Sequence, residues 1–414
     1  MEEKKEKSIF EKYMEKRNIL IKNRNILQSS YIPEQLPHRD EQIKKIAEIL
    51  APCLNRDKPS NILIYGKTGT GKTAVLNYIG KELKKADPDE KNCSFIYVNC
   101  EVVDTPSGIL YNISNQIITE YNRKIPFTGW ALDKIYYELS NYIDEKDKVF
   151  IIVLDEIDRS FKKNGDDIFY FLTTMNEILK KSRVSIIGIT NNSKFTELLS
   201  TKIKSRLGEE KIVFNPYNSI ELQDILSDRA KCVFDEGVLD PAVIPYCAAL
   251  SAQDSGDARK ALDFLRIAAD IAERNGDSVV TEAHVNSARE KIEFDAVIEV
   301  MNTITNQSKV VLMSIIKNFE SNNKKMTTGD VYTTYREICD IIGMTPLTQR
   351  RVAGLISELD MLGIIHAQVK SLGRNGRTKE FSLNINQDII DKFMKNELFQ
   401  PLKNYKPSKQ TTLM

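Results

Sequence analysis

The sequence predicts a multidomain α/β chain: a base built on a parallel sheet, a helical region after it, and a smaller C-terminal domain of three helices and a β-ribbon. Three observations predict this. The apolar run Ile62-Leu63-Ile64-Tyr65 leads into Gly66-Lys67-Thr68-Gly69-Thr70-Gly71-Lys72-Thr73 and then the helix-forming segment Ala74 to Lys85, a strand, glycine-rich loop and helix in that order. Two further apolar runs, Val149 to Leu154 and Ser185 to Thr190, end directly in polar residues, Asp155-Glu156 and Asn191. From Tyr217 the periodicity turns helical, until two short β-like runs flank a basic, glycine-containing stretch near the C-terminus. At 414 residues the chain exceeds one comfortable core, so two or three domains are expected.

The glycine-rich loop fits G-x-x-x-x-G-K-[ST] in full. Glycines at 66, 69 and 71 permit a tight turn that aims several N–H groups at one point, where the following helix N-terminus adds partial positive charge. A polyphosphate suits that cradle, which runs from Gly66 through Lys67, Thr68, Gly69, Thr70, Gly71, Lys72 and Thr73 to Ala74. Lys72 is expected to reach the β- and γ-phosphates of ATP or ADP, and the Thr73 hydroxyl to ligate Mg²⁺, a hard cation that prefers oxygen. The competing reading is a glycine turn without a ligand.

Composition narrows the class further. With 59 Lys+Arg against 58 Asp+Glu the net charge is near zero, so any nucleic-acid contact must come from local patches. No apolar run approaches a membrane span, and the first residues are charged, so a soluble cytoplasmic protein is expected. The six cysteines (53, 93, 100, 232, 247, 339) form no C-x-x-C pair and the three histidines no metal-ligand spacing, so the cysteines read as reduced core fillers.

In chain order, residues 1–28 carry eight Lys/Arg against five acids, a net of +3, and read as a mobile or helical arm. Tyr31 to Pro37 reads as an extended connector, since each proline biases its predecessor away from helix. Ile43, Ile46, Ala47 and Leu50 have helical spacing, and the helix Asp40 to Leu50 is expected to cover the nucleotide from the base side. Ser94 to Asn99 and Val149 to Leu154 are strands, the second continuous enough to be buried on both faces. A carboxylate at the C-terminal end of a central parallel strand lies where such sheets bind ligands, so Asp155 is assigned to the Mg²⁺ shell and Glu156 to orienting and activating water. Asn191, after the next strand, can hydrogen-bond both a γ-phosphate and the attacking water. Arg206, in Ser205-Arg206-Leu207, is either an arginine that reaches a neighbouring subunit's nucleotide or a surface residue. Ile212-Val213-Phe214 supplies the last strand of the sheet. Residues 217–300 read as a helical lid, with Thr281 as an N-cap. Within it Gly256-Asp257-Ala258-Arg259 opens a helix whose Leu262, Leu265, Ala268, Ala269 and Ala272 make one apolar face. Arg259, in the first turn, either reaches the phosphates or is solvated.

Two further stretches carry information. About fifty residues separate the strand ending at Asn99 from the one beginning at Val149, more than a βαβ crossover needs, so something is inserted. Ile109 to Tyr121 and Trp130 to Ile143 supply two helices, with Pro126-Phe127-Thr128-Gly129 and the sole tryptophan at their tip; this insertion, near 126–143, either touches a partner or packs internally. Residues 308–384 read as three helices and a ribbon. On the third helix Val352, Leu355, Ile356 and Leu359 form the buried face, which turns Arg350, Gly354 and Ser357 outward; small residues there suit close approach to a duplex. The ribbon pairs Ile364-Ile365 with Phe381-Ser382-Leu383 across a loop holding Lys370, Arg374, Arg377 and Lys379 and no acid, which suits phosphate or minor-groove contact. The tail from Pro401 to Met414 reads as disordered.

The series of phosphate loop, Asp155-Glu156-Ile157-Asp158, Asn191, Ser205-Arg206-Leu207 and Gly256-Asp257-Ala258-Arg259-Lys260-Ala261-Leu262 resembles the AAA+ ATPases. More narrowly, Pro33-Glu34-Gln35-Leu36-Pro37-His38-Arg39, Pro126-Phe127-Thr128-Gly129-Trp130 and Pro346-Leu347-Thr348-Gln349-Arg350-Arg351 resemble local signatures of the archaeal replication initiators related to the origin recognition complex and its loading partner, and the likeness covers nearly the whole chain. It implies an AAA+ P-loop ATPase base over 29–216, a helical lid over 217–300 and a C-terminal winged-helix domain over 301–400. It implies sensor roles for Asn191 and Arg259, and DNA contacts from Thr128, Gly129 and Trp130 of the insertion and from Thr348, Arg350, Arg351, Arg374 and Arg377 of the winged helix. The partners implied are double-stranded origin DNA, the replicative helicase and further copies on DNA, and the location is the nucleoid. The function expected is an ATP-dependent origin-binding initiator, a slow ATPase acting as a switch. The alternative is a signalling or assembly ATPase of the same superfamily, whose winged helix is a spacer or binds protein.

Overall fold

A computed structural model describes residues 20–28, 31–321, 326–371, 377–385, 387–403 and 405–407, with the backbone alone over 369–371 and 377–380. The chain forms two compact units, Met1–Ala288 and Arg289–Met414, and the division falls within the helix Glu282–Thr303.

The first unit is organised by five parallel strands, β1 (Ile62–Gly66), β2 (Cys93–Asn99), β3 (Val149–Asp155), β4 (Arg183–Thr190) and β5 (Glu210–Phe214), in the order β2-β3-β4-β1-β5. Every residue of β3 is buried, as its unbroken apolar run requires of a central strand covered on both faces. One face carries Ile62, Ile64 and Ile151 against Ile46, Leu50 and Val75; the other carries Leu63, Ile152 and Leu154 against Ile109, Ile113 and Phe169. Because the strands are parallel, Gly66, Asn99, Asp155 and Asn191 all fall at their carboxyl ends, on one edge of the sheet.

The insertion between β2 and β3 consists of the helices Pro106–Ile117 and Leu132–Glu145. Thr105 caps the first, accepting from Gly108 N–H, and Pro106 occupies the first-turn position where its missing N–H costs nothing. The second starts at Leu132, two residues later than its apolar spacing suggests, because Gly129 has φ +90° and Ala131 is extended.

After β5 come the helices Ser219–Val233, Val243–Asp254 and Ala258–Asn275. A reciprocal capping box of Asn218 and Glu221 fixes the first, and Asp257 caps the third by accepting from the N–H groups of Arg259 and Lys260. Thr281 stands directly before the next helix, Glu282–Thr303, and its N–H and its hydroxyl both face His284 Nδ1.

Three expectations are corrected in this unit. Residues 20–28 are not a free arm: Leu20, Ile21 and Leu27 are buried, and Glu273 of the third lid helix accepts the N–H groups of Leu20 (2.9 Å) and Ile21 (3.0 Å) and pairs with Arg24. The helix Asp40–Leu50 packs Ile46 and Leu50 into the sheet's core, while the segment Tyr31 to Pro37 lines the cavity beside the glycine-rich loop, the place expected of that helix. Five cysteines are buried, but Cys232 is exposed and lines the same cavity.

The second unit packs the helices Asn306–Glu320, Thr328–Ile342 and Gln349–Met361 around Val310, Val311, Ile315, Tyr335 and Ile356. Its antiparallel sheet has the order β6-β8-β7, with β7 (Ile365–Ser371) and β8 (Arg377–Leu383) in the register Ile365↔Leu383 and Ala367↔Phe381. The third strand, β6 (Met326–Thr327), is two residues long and too short to leave a pattern in the sequence. Beyond the helix Gln387–Met394, a short 3₁₀ segment buries Phe399 and Leu402, and Tyr405 bonds Glu337; these described residues of the tail are packed, against the expectation, and 408–414 lie outside the described residues.

Candidate nucleotide site and nucleic-acid surfaces

The phosphate loop joins β1 to the helix Lys72–Ala86. Lys72 is buried, and its ammonium donates to the carbonyls of Gly66 (2.8 Å) and Lys67 (2.6 Å) and to Asn191 Oδ1 (2.8 Å). Burial, opposed by Asp155 and reinforced by Arg259, lowers its pKa to about 8. Two glycines are required by what lies against them. Gly69 (φ +68°) presses on the Asp257 carboxylate, 1.6 Å from where a Cβ would stand, and Gly71 (φ +88°) on the Tyr217 hydroxyl, 2.8 Å away.

Arg39 braces the loop from outside. It is buried, donates from Nε to Thr70 O (2.9 Å) and from one terminal nitrogen to Asn215 O (2.8 Å), and lies 3.8 Å over the Tyr217 ring. Burial lowers its pKa. Its role is invisible in sequence, because the partners are carbonyls far along the chain.

Beside Lys72 is an oxygen-rich corner. Thr73 Oγ1 donates to Asp155 Oδ2 (2.6 Å), and the Glu156 N–H donates to Asp155 Oδ1 (2.9 Å). A hydroxyl and a carboxylate facing phosphate donors fit a hard divalent cation that completes its shell with phosphate and water. Among the described residues no cluster of three or more His, Cys, Asp or Glu could hold a metal without such a ligand. Glu156 is half-buried in a left-handed conformation (φ 55°). Burial first, then Glu101 and Asp155, raises its pKa, which brings it closer to the range of a working base.

These residues open onto one cavity of about 740 Å³. Thr68 to Ala74, Asp155, Glu156 and Asn191 line its phosphate end, and Arg259 enters from the lid. Ile26, Ile32, Pro33, Ile225 and Leu262 make the other end apolar, as an aromatic base requires. Arg229 closes that end, stacked 4.6 Å from the Tyr31 ring and donating to Tyr31 O. Sequence reasoning missed Ile26, Tyr31 and Arg229 in the cavity wall and Tyr97, whose hydroxyl donates to Asp155 Oδ2, because none carries a motif. The lid touches the loop itself, for Ala258 N–H donates to Gly69 O (3.2 Å).

Comparison with known proteins decides the family. Family models match along the chain: an AAA domain over 55–199, a Cdc6 AAA+ ATPase-type lid domain over 223–290, and a CDC6 C-terminal winged helix domain over 299–393. The ORC1-type DNA replication protein of Thermococcus onnurineus is 52% identical over 379 residues, 91% of either chain. That of Thermococcus kodakarensis is 49% identical over 408 residues, 98% of either chain. The chain belongs to the ORC1-type DNA replication proteins. Among solved structures, the Aeropyrum pernix ORC1 protein in complex with DNA is similar at 41% identity and a TM-score of 0.78, covering 92% of this chain and 98% of that one. The AAA+ base, helical lid and winged helix expected from sequence are the fold of this family.

The remaining described candidate residues of this ORC1-type chain are not among those that line the cavity. Arg206, on the helix Thr201–Leu207, does not line it; one guanidinium nitrogen pairs with Glu177, and Nη1 is enclosed without a hydrogen-bond partner. At the insertion tip Thr128 and Gly129 are exposed, Phe127 is 71% exposed although its ring meets Tyr111 edge-on, and Trp130 is half-buried with Lys134 Nζ 4.0 Å above it. The tryptophan is thus part packing and part surface. In the winged helix Thr348 caps the third helix, Arg350 and Arg351 are exposed in its first turn, and a Cβ on Gly354 would meet nothing within 4 Å. Tyr332 and Tyr335 hold the loop before that helix by hydroxyl contacts to Leu347 O (3.2 Å) and Leu347 N–H (2.9 Å). Arg374 lies outside the described residues, and of Arg377 the backbone alone, in β8, is described.

Proposed function

We propose that this chain is an ATP-dependent origin-binding initiator that engages duplex DNA and promotes loading of the replicative helicase. One observation carries the nucleotide dependence: a single cavity is walled by the phosphate loop and by the lid, and the two are joined through Gly69 O and Ala258 N–H. A triphosphate entering there must displace Lys72 from Asn191 and draw in Arg259, so occupancy changes how the lid meets the base. Thr73 and Asp155 would hold Mg²⁺, which would neutralise charge on the phosphates. Glu156 accepts the proton of the attacking water, Asn191 orients that water or the γ-phosphate, and the apolar end keeps bulk water from the base.

The DNA reading is supported by the relative solved in complex with DNA and by an exposed, sterically open helix face bearing Arg350 and Arg351. We assign Thr348, Arg350, Arg351, Arg374 and Arg377 to the duplex, with a second grip at Thr128 to Trp130. Bipartite contact would deform the duplex between the grips, adding specificity at bases no side chain touches. Arg206 does not line its own chain's cavity, and we assign it to the nucleotide of a neighbouring copy. Such a protein resides on the nucleoid.

The test joins two measurements. Genomic fragments co-purifying with the full chain should converge on few loci, and Arg350→Ala should lower the preference for them by about 1 to 3 kcal/mol if it reads a base edge. Lys72→Ala should weaken ATP binding strongly, whereas Glu156→Gln should bind ATP without turning it over. Fragments without preference, and duplex affinity unchanged by Arg350→Ala and Trp130→Ala, would favour a winged helix that binds protein.

A further inference from the structure

Asp155 is 6% exposed and sits at the last position of β3, so its carboxylate must be satisfied almost entirely by protein. An ionised carboxylate offers four acceptor positions, two on each oxygen. On Oδ1, one is taken by the Glu156 N–H (2.9 Å). On Oδ2, one is taken by Thr73 Oγ1 (2.6 Å) and the other by the hydroxyl of Tyr97 (2.5 Å). One acceptor position remains, on Oδ1. The Thr73 hydroxyl gives its single proton to Asp155, which leaves its lone pairs for a cation.

Tyr97 comes from the neighbouring strand. In the β2–β3 register it stands opposite Val153, two residues before Asp155, so its ring runs along the strand to reach the carboxylate. Its own carbonyl is tied by Gln116 Nε2 (2.9 Å), on the first insertion helix, which fixes the backbone from which the ring extends.

We infer that Tyr97 is a positioning residue for the metal: by occupying the second acceptor site of Asp155 Oδ2 it fixes the carboxylate plane and leaves one defined acceptor for the hydrated Mg²⁺ that accompanies the nucleotide. The inference rests on the reading of this cavity as an ATP–Mg²⁺ site. Without the phenol, Oδ2 is free to turn or to take a water, and the carboxylate no longer presents a single orientation. The ring's packing is retained in Tyr97→Phe, so the hydroxyl alone is tested.

The experiment uses the full chain and ADP. Affinity is measured by calorimetry in EDTA and along an Mg²⁺ titration, for the native chain, Tyr97→Phe, Asp155→Asn and the double variant, with thermal midpoints taken in EDTA. Hydrogen bonds to charged groups contribute enough for the Mg²⁺ concentration at half-effect to rise on the order of tenfold in Tyr97→Phe, while affinity in EDTA stays within about twofold. In the Asp155→Asn background Tyr97→Phe should add little, because the two act through one carboxylate. An equal loss in EDTA and Mg²⁺, an unchanged Mg²⁺ titration, or full additivity with Asp155→Asn would overturn the inference. A native chain whose ADP affinity ignores Mg²⁺ would overturn the reading of the site as well.

Discussion

Replacing Glu273 by alanine should loosen the N-terminal belt and, through it, the nucleotide site. Glu273 is 1% exposed and anchors residues 20–28 by accepting from Leu20 and Ile21 N–H while pairing with Arg24. Removing one partner of a buried charged pair costs about 3 to 5 kcal/mol. Arg24 is 39% exposed, so solvent screens that part of the loss, and the two amides left without their acceptor become the larger cost. We therefore expect about 3 kcal/mol, a fall of roughly 5 °C in the melting transition of a unit of this size. Because the belt also delivers Ile26 to the cavity wall, ADP affinity should fall with it. The assay is hydrogen exchange at the Leu20 and Ile21 amides with a thermal melt, with and without ADP. An unchanged melt with native protection over 20–28 would refute the reasoning.

Three further predictions follow from the site and the winged helix. Lys72 holds its proton in the free protein only up to about pH 8, below its ordinary 10.5, and phosphate favours the charged form. The unfolded chain binds more protons than the nucleotide-free fold between those values, so stability from this group rises with pH there, and ADP binding above pH 8 takes up a proton; calorimetry in buffers of different ionisation enthalpy should show the uptake vanish in Lys72→Met. As the proposed base, Glu156 would have to be ionised to accept a proton, so the acid limb of ATP turnover should lie above the ordinary glutamate range, and Glu101→Gln should move it to lower pH. Gly354→Leu has open space around its Cβ and gains helix propensity of about 0.7 to 1 kcal/mol, so the fold should hold or strengthen while duplex affinity in a mobility-shift titration falls.

What was legible in the sequence was what depends on local pattern. The loop from Gly66 to Thr73 is contiguous, and the apolar runs of β3 and β4 place Asp155 and Asn191 at strand ends without any tertiary information. The faces of the helices Ala258–Asn275 and Gln349–Met361 followed from spacing for the same reason. Long-range partners left no such mark. Leu20 and Glu273 are 253 positions apart, and a lone acid at the end of an amphipathic helix reads as solvated. Arg39 sat in a recognised signature, yet its function is to donate to the carbonyls of Thr70 and Asn215, which no residue type announces. The helical spacing of Asp40–Leu50 does not tell which neighbour the helix covers: it packs Ile46 and Leu50 into the sheet's core, and the proline-bearing segment before it lies along the cavity instead.

The same contacts explain why the phosphate loop of this chain cannot be treated as a passive cradle. Its carbonyl at Thr70 is held by Arg39, which stacks on Tyr217; Tyr217 presses on Gly71 and its N–H donates to Gly256 O, one residue before the cap of the lid helix. That cap, Asp257, presses on Gly69, and the residue after it bonds the Gly69 carbonyl. Loop, hinge and lid therefore share a closed ring of contacts with no slack for a Cβ at either glycine. A ligand that shifts the loop by a fraction of an ångström has to move the hinge or break the ring, since packed contacts of this density do not deform continuously. On the function proposed above, the lid's response to nucleotide would be set by the loop's backbone as much as by Arg259, whose helix the ring holds in place.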